Sequence, residues 1–224
     1  AGEGLRLTQH YSGSPVCAPS RAALLTGRYP HRTGAIDTLE GRGLDRLSLR
    51  ERTLADLLKA AGYATGLVGK WHLGALDPSY HPNRRGFDEF TGFRGGWSDY
   101  WQWTLDVNGS PLKADGRYLT DVFTDAALDF IHRHRREPFF LHVTYNAPHF
   151  PLQVPDEEAR PFRERGDLEE GVCLIYAMNQ RMDRGVAKIL QSLREHGIEC
   201  NTIVLFTSAT GPQFGPYDGK VQTR

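Results

Sequence analysis

The sequence predicts an α/β domain with a largely parallel central sheet flanked by helices. Short apolar runs rich in β-branched and aromatic residues recur at 64–68, 139–145 and 201–207. Helical apolar stripes alternate with them. The first two runs lead directly into segments with chemically capable side chains, Gly69-Lys70-Trp71-His72 and Asn146-Ala147-Pro148-His149, and the last ends at Ser208. In parallel sheets ligands bind beyond the carboxyl ends of the strands, so these segments are expected to converge.

In chain order, Ala1 to Gly4 reads as a helix end closed by glycine, and Leu5 to Tyr11 alternates like a strand. Ser20 to Thr26 predicts a short helix, with Pro19 in its first turn and Gly27 after it. Thr53 and Asp56 have capping-box spacing; Leu54, Leu57, Leu58 and Ala61 then give one apolar face, and Gly62 ends the helix. Residues 75–118, rich in Gly, Pro, Asp and aromatics, predict long loops with little regular structure. Leu119, Val122, Phe123, Ala126, Ala127, Phe130 and Ile131 make a clean helical stripe. A longer stripe runs from Val172 through Ile175, Tyr176, Met182, Val186, Ile189 and Leu190 to Leu193, ending at Gly197. Both ends of the chain are expected to be cut from something longer.

The chain has 224 residues, 39% hydrophobic and 24% charged, which suits one globular domain with a core. Its formal net charge of +0 removes any global electrostatic case for nucleic acid or an anionic membrane. No apolar run is long enough to span a bilayer. Three widely spaced cysteines, Cys17, Cys173 and Cys200, fit neither a disulfide framework nor a zinc cluster. Cys173 reads as core and Cys200 as a turn residue.

The segment Cys17-Ala-Pro19-Ser20-Arg21-Ala-Ala-Leu-Leu25-Thr26-Gly27-Arg28 fits the pattern C-x-P-S-R-x-x-x-L-T-G-R at every fixed position. That pattern, with Gly69-Lys70-Trp71-His72-Leu73-Gly74 and Ala147-Pro148-His149, resembles the type I sulfatases, most nearly the arylsulfatase and N-acetylgalactosamine-sulfatase group. The resemblance implies the α/β fold of the alkaline phosphatase superfamily. Residues 1–224 are then the central part of a single catalytic domain, without its first strand and C-terminal portion. It also implies that Cys17 is oxidised to formylglycine by a formylglycine-generating enzyme during synthesis. One hydroxyl of the hydrated aldehyde attacks sulfur and releases the alcohol. The second then expels sulfate and restores the aldehyde. A helix N-terminus at residue 17 favours an anion, and Arg21, one turn on, can face the same spot.

By the same resemblance, Lys70 binds a sulfate oxygen, His72 contacts the formylglycine hydroxyl, and His149 helps bind sulfate and protonates the leaving alcohol. Ser98, in Gly96-Trp97-Ser98-Asp99, is a further candidate for sulfate binding. The expected substrate is a sulfated small molecule or glycan, and the expected compartment is periplasmic, secreted or lysosomal.

The sequence departs from the family at the metal. Calcium takes several hard oxygen ligands. The family supplies two aspartates from its first strand and an Asp-Asn pair in a later Ser-Asp-Asn-Gly turn. Here that turn reads Ser208-Ala209-Thr210-Gly211, so the second ligand source is absent and no metal ligand is assigned. Lys220, in Asp218-Gly219-Lys220, does not match a further family lysine. Loss of the ion predicts weak or absent turnover. Two alternatives stand beside sulfate ester hydrolysis: phosphonate or phosphate ester hydrolysis on the same scaffold, and a non-catalytic relative that binds sulfated glycans.

Other features have simpler readings. Trp97, Tyr100, Trp101 and Trp103 either pack a loop or stack on substrate. Asn108-Gly109-Ser110 is a glycosylation sequon, Arg133 to Arg136 suit a helix C-terminus, and Asn179 and Asp183 fall on an apolar stripe where a carboxylate needs a partner.

Overall fold

A computed structural model describes residues 4–211. Five strands form one mixed sheet in the order β4-β3-β2-β1-β5. Strand β1 (Ala64–Lys70) lies inside it, parallel to both β2 (Glu89–Phe93) and β5 (Phe139–Thr144). Strands β3 (Thr104–Val107) and β4 (Ser110–Lys113) extend the β2 side as an antiparallel pair. The expected parallel centre is present, with an antiparallel wing that was not expected.

That wing corrects the reading of residues 75–118 as loops, since β2, β3 and β4 all lie there. Asn108 and Gly109 both take positive φ, 51° and 91°, and join β3 to β4 in two residues. An Asn-Gly pair suits such a tight hairpin. Asn108 is exposed, and its Oδ1 accepts the Phe90 N–H at 2.7 Å, tying the turn to β2.

The α-helices among the described residues are α1 (Cys17–Thr26), α2 (Leu54–Ala60), α3 (Leu119–His134), α4 (Asp156–Arg163) and α5 (Glu170–Glu195). Helix α1 ends at Gly27, whose φ of 65° suits glycine and whose N–H donates to Ala23 O. Both arms of the Thr53–Asp56 capping box are formed at the start of α2. The face predicted for α2 is not its buried face. Ala55 is buried, whereas Leu57 is 48% exposed, because nothing among the described residues covers that side.

The sheet separates two apolar clusters. On one side Leu67 and Phe90 meet Ala18, Ala22 and Leu25 of α1 and Ala55 of α2. On the other, Val68 and Phe93 meet Leu119, Val122 and Phe123 of α3 and Met178 of α5. Alternate residues of β1 thus face opposite layers, as the pleat requires. Gly66 admits α3 closely: a Cβ there would lie 2.5 Å from the Phe130 ring. In α5, Cys173 is core as read, but Asp183 is exposed, so it needs no buried partner. The basic run at the end of α3 is held by ion pairs, Arg133 and His134 both meeting Glu89.

Two predicted strands are not formed. Leu5 to Tyr11 is irregular and exposed. Residues 202–207 are irregular too, with Ile203 89% exposed. Their composition suits strands, but a strand exists only against a hydrogen-bonding neighbour, and neither segment pairs with a described strand. The helix end read at Ala1 to Gly4 falls mostly outside the described residues, as does Lys220.

Truncating Phe123 to alanine is expected to cost about 3–5 kcal/mol, as for large aromatics emptied from a core. Thr53→Ala, which removes one arm of the cap, should cost only about 1 kcal/mol. Urea unfolding of both variants against the parent chain measures the difference. Equal losses would mean that the α3 layer is not the packed core described.

Candidate active site

Cys17 is the first residue of α1 and 8% exposed. Burial raises its thiol, but the close approach of the His149 and His72 rings and the charge of Lys70 outweigh this and hold it down at about 4. The free N–H groups of the first helical turn favour negative charge at the same place. A position that stabilises a thiolate this strongly suits any anion seated there.

Lys70 ends β1 and is buried. Burial brings its ammonium down to about 8, against the opposing pull of the Cys17 thiolate and Glu40. His72 follows two residues later with φ 53°, a conformation that is strained for a residue other than glycine. Its N–H donates to Arg94 O at 3.1 Å, as Trp71 N–H does to Phe93 O at 3.0 Å. The chain leaving β1 therefore stays clipped to the chain leaving β2.

Arg21 serves the site differently from the expectation that it faces the anion. Its Nε–H donates to Trp71 O at 2.8 Å, and a terminal nitrogen donates to Lys70 O. The guanidinium fastens α1 to the end of β1. It remains in electrostatic reach of Cys17, while burial lowers it to about 10. Thr144, at the end of β5, donates its hydroxyl to the same Lys70 carbonyl at 2.8 Å.

His149 stands on the loop after β5. Its backbone N–H donates to Asn146 O at 2.7 Å, and its own carbonyl accepts the Tyr100 hydroxyl at 3.0 Å. Its Nδ1 lies 2.7 Å from Phe150 O. A carbonyl only accepts, so Nδ1 carries a proton and Nε2 is the nitrogen left for chemistry.

Cys17, Lys70, His72 and His149 thus come together, with Arg21 bracing them. Ser98 does not join them by a direct bond; its hydroxyl donates to Asp99 O at 3.2 Å. Its chain does reach the site, because Gly96 lies against the His72 ring, where a Cβ would fall 2.7 Å from Cε1. Of the aromatic cluster, Tyr100 and Trp103 are core, whereas Trp97, beside Gly96, is 61% exposed. Two carboxylates were missed. Asp45, 1% exposed, accepts the N–H groups of Gly74 and Ala75 at 3.1 and 3.0 Å and so fixes the loop after His72. Glu40 accepts the Gly96 N–H at 2.6 Å. Neither has periodic or motif context that would have marked it.

The Ser208-Ala209-Thr210 segment does arrive at α1. Ala209 O accepts from Ser12 Oγ at 2.5 Å and from the Ser20 hydroxyl. Ala209 brings no side-chain oxygen. Among the described residues no group of three or more His, Cys, Asp or Glu is placed to hold a metal. These residues do not fit a calcium centre.

Comparison with known proteins agrees with this geometry. The family model described as Sulfatase matches residues 1–223. The uncharacterized sulfatase YdeN of Escherichia coli K12 is 34% identical over 93% of this chain and 41% of its own length. Human N-acetylgalactosamine-6-sulfatase is 35% identical over 94% of this chain and 44% of its own. The crystal structure of Ps i-CgsB in complex with k-i-k-neocarrahexaose superposes with a TM-score of 0.77 at 35% identity, covering 84% of this chain and 46% of that one. The chain spans about two fifths of the length of these curated relatives.

The unconverted thiol offers a direct test. The folded pKa of Cys17 is depressed from 9.0 to about 4, so between those values folding releases a proton. Stability from this group is present above the unfolded value and is lost as pH falls through about 4. Alkylation of Cys17 by iodoacetamide, followed by peptide mass spectrometry, should keep its rate from pH 9 down to about 4. A rate that falls tenfold per pH unit from 9 downward would overturn the electrostatics described.

Proposed function

The chain belongs to the sulfatase family, and from that premise we propose that it carries the nucleophilic centre of a sulfuric ester hydrolase. The observation that carries this reading is the gathering of Lys70, His72 and His149 on a depressed Cys17. Cys17 is converted to formylglycine by a formylglycine-generating enzyme. Because it is buried in a helical turn, conversion precedes folding of α1. Lys70 then neutralises a sulfate oxygen, His72 handles the proton of the attacking diol, and His149 Nε2 delivers a proton to the departing alcohol.

The substrate class in this reading is a sulfated glycan or aryl ester. The Ps i-CgsB complex with a neocarrahexaose supports the glycan arm. Trp97, exposed one residue from the glycine against His72, provides a flat apolar face for a sugar or aryl ring. A periplasmic, secreted or lysosomal compartment belongs to the same reading. Calcium would supply Lewis-acid stabilisation in the family, and Ala209 leaves that contribution short.

The test is co-expression with a formylglycine-generating enzyme, then assay of an aryl sulfate and a parallel phosphonate ester with calcium present. Cys17→Ala is the blank. Slow sulfate release above the blank is expected, rising when Ala209→Asp and Thr210→Asn are introduced together. Preferred turnover of the phosphonate would reverse the substrate assignment. Glycan binding with no turnover, even after those substitutions, would leave a binding protein. In the active form, His149→Ala should lower kcat by about 10²–10⁴ for alkyl sulfates and much less for aryl sulfates, whose leaving groups need no proton. Trp97→Ala should raise KM for a glycan sulfate about tenfold, equivalent to roughly 1.4 kcal/mol, with kcat little changed.

A further inference from the structure

His72 is 2% exposed, and neither ring nitrogen has a hydrogen bond of good geometry. A buried imidazole left this way is costly, since each nitrogen needs a defined partner. The ring is nonetheless closely confined. Gly96 lies flat against it, and a Cβ there would fall 3.0 Å from Nε2. Beyond Nε2 sits Glu40, from the short 3-10 turn Glu40–Arg42, with Oε1 at 3.4 Å. The same oxygen accepts the Gly96 N–H at 2.6 Å, and a Cβ at Gly95 would stand 3.2 Å from it. The two glycines therefore leave a slot in which the carboxylate reaches the imidazole.

We propose that Glu40 is a positioning residue for His72, holding the proton on Nε2 and thereby presenting Nδ1 as the bare nitrogen toward the formylglycine diol at position 17. The hydrogen bond of the carboxylate to Gly96 fixes its direction. A shift of a few tenths of an ångström brings the 3.4 Å approach into bonding range, as catalytic contacts tighten when a site fills. The pairing selects one of two tautomers and raises the basicity of the opposite nitrogen, as a carboxylate does behind any working histidine. The importance of Nδ1 for catalysis rests on the sulfatase reading. The pairing itself does not, because the approach of Glu40 to Nε2 is read without turnover.

The experiment is long-range ¹H–¹⁵N correlation spectroscopy of the imidazole rings in the labelled full chain carrying Cys17→Ala throughout, which removes the thiolate that would draw a proton onto Nδ1; wild type at position 40 is Glu40 in that background, and His72 is assigned by its loss in His72→Gln. Bonded and bare ring nitrogens differ widely in ¹⁵N shift, so the tautomer is read directly and no turnover is needed. Wild type should show His72 protonated at Nε2. Glu40→Gln, which keeps an oxygen for the Gly96 N–H but loses the charge, should move both His72 ring nitrogens toward a tautomer mixture. Glu40→Asp, which retains the charge, should restore the wild-type pattern at least in part. Nδ1-protonated His72 in wild type, or a pattern unchanged in Glu40→Gln, would overturn the proposal. If Glu40→Gln fails to fold, the wild-type tautomer alone still decides. Loss of aryl sulfatase activity in the chain that keeps Cys17, with the predicted tautomer intact, would count against the sulfatase reading and not against Glu40.

Discussion

The carbonyl oxygens of Lys70 and Trp71 form the joint on which the site depends. Arg21 donates to both, and Thr144 donates to the first. Through these bonds α1, β1 and β5 share one point at the carboxyl end of the sheet. A peptide oxygen accepting two donors satisfies itself fully inside the protein, where an unmet acceptor is costly. The same bonds fix Lys70 and His72 relative to Cys17. An arginine at position 21 is needed for its forked geometry as much as for its charge.

The close fit around this joint leaves little room for larger residues. Gly69 has φ 114°, and a Cβ on it would lie 2.1 Å from the Thr144 carbonyl oxygen. Gly92, its partner on β2, would meet the Gly69 carbonyl at 1.8 Å. Glycine at the two facing positions lets three backbones pass close together where the strands deliver their functional ends. The strained φ of His72 belongs to the same crowding, held by the clip to Arg94 on one side and the Asp45-bound loop on the other.

What was legible in the sequence follows from range. The α1 motif, the Lys70–His72 segment and His149 stand out as candidates in the sequence because they lie in contiguous residues of fixed spacing, and the structure brings them together. Helix α3 was legible because its buried stripe repeats with the helical period. Glu40 and Asp45 were not, since each acts across a long sequence separation from an irregular stretch, and nothing local distinguishes them from solvated carboxylates. The β3–β4 hairpin was legible in principle: Asn108-Gly109 carries the turn signal, but it was read only as a glycosylation sequon. For residues 202–207 the composition suits a strand, but no described strand pairs with them, and β-branched residues form a strand only once paired.

Among the described residues strand β5 borders β1 on one side only, and the run Thr202-Ile-Val-Leu-Phe-Thr207 lies uncovered with Leu205 and Phe206 exposed. An open edge and an uncharged, β-prone hexapeptide without proline are complementary adhesive surfaces. Two molecules can satisfy each other through them without disturbing either core. Colloidal behaviour is therefore the practical constraint on handling this chain: crowding promotes association, and dilution or an added charge within the hexapeptide opposes it.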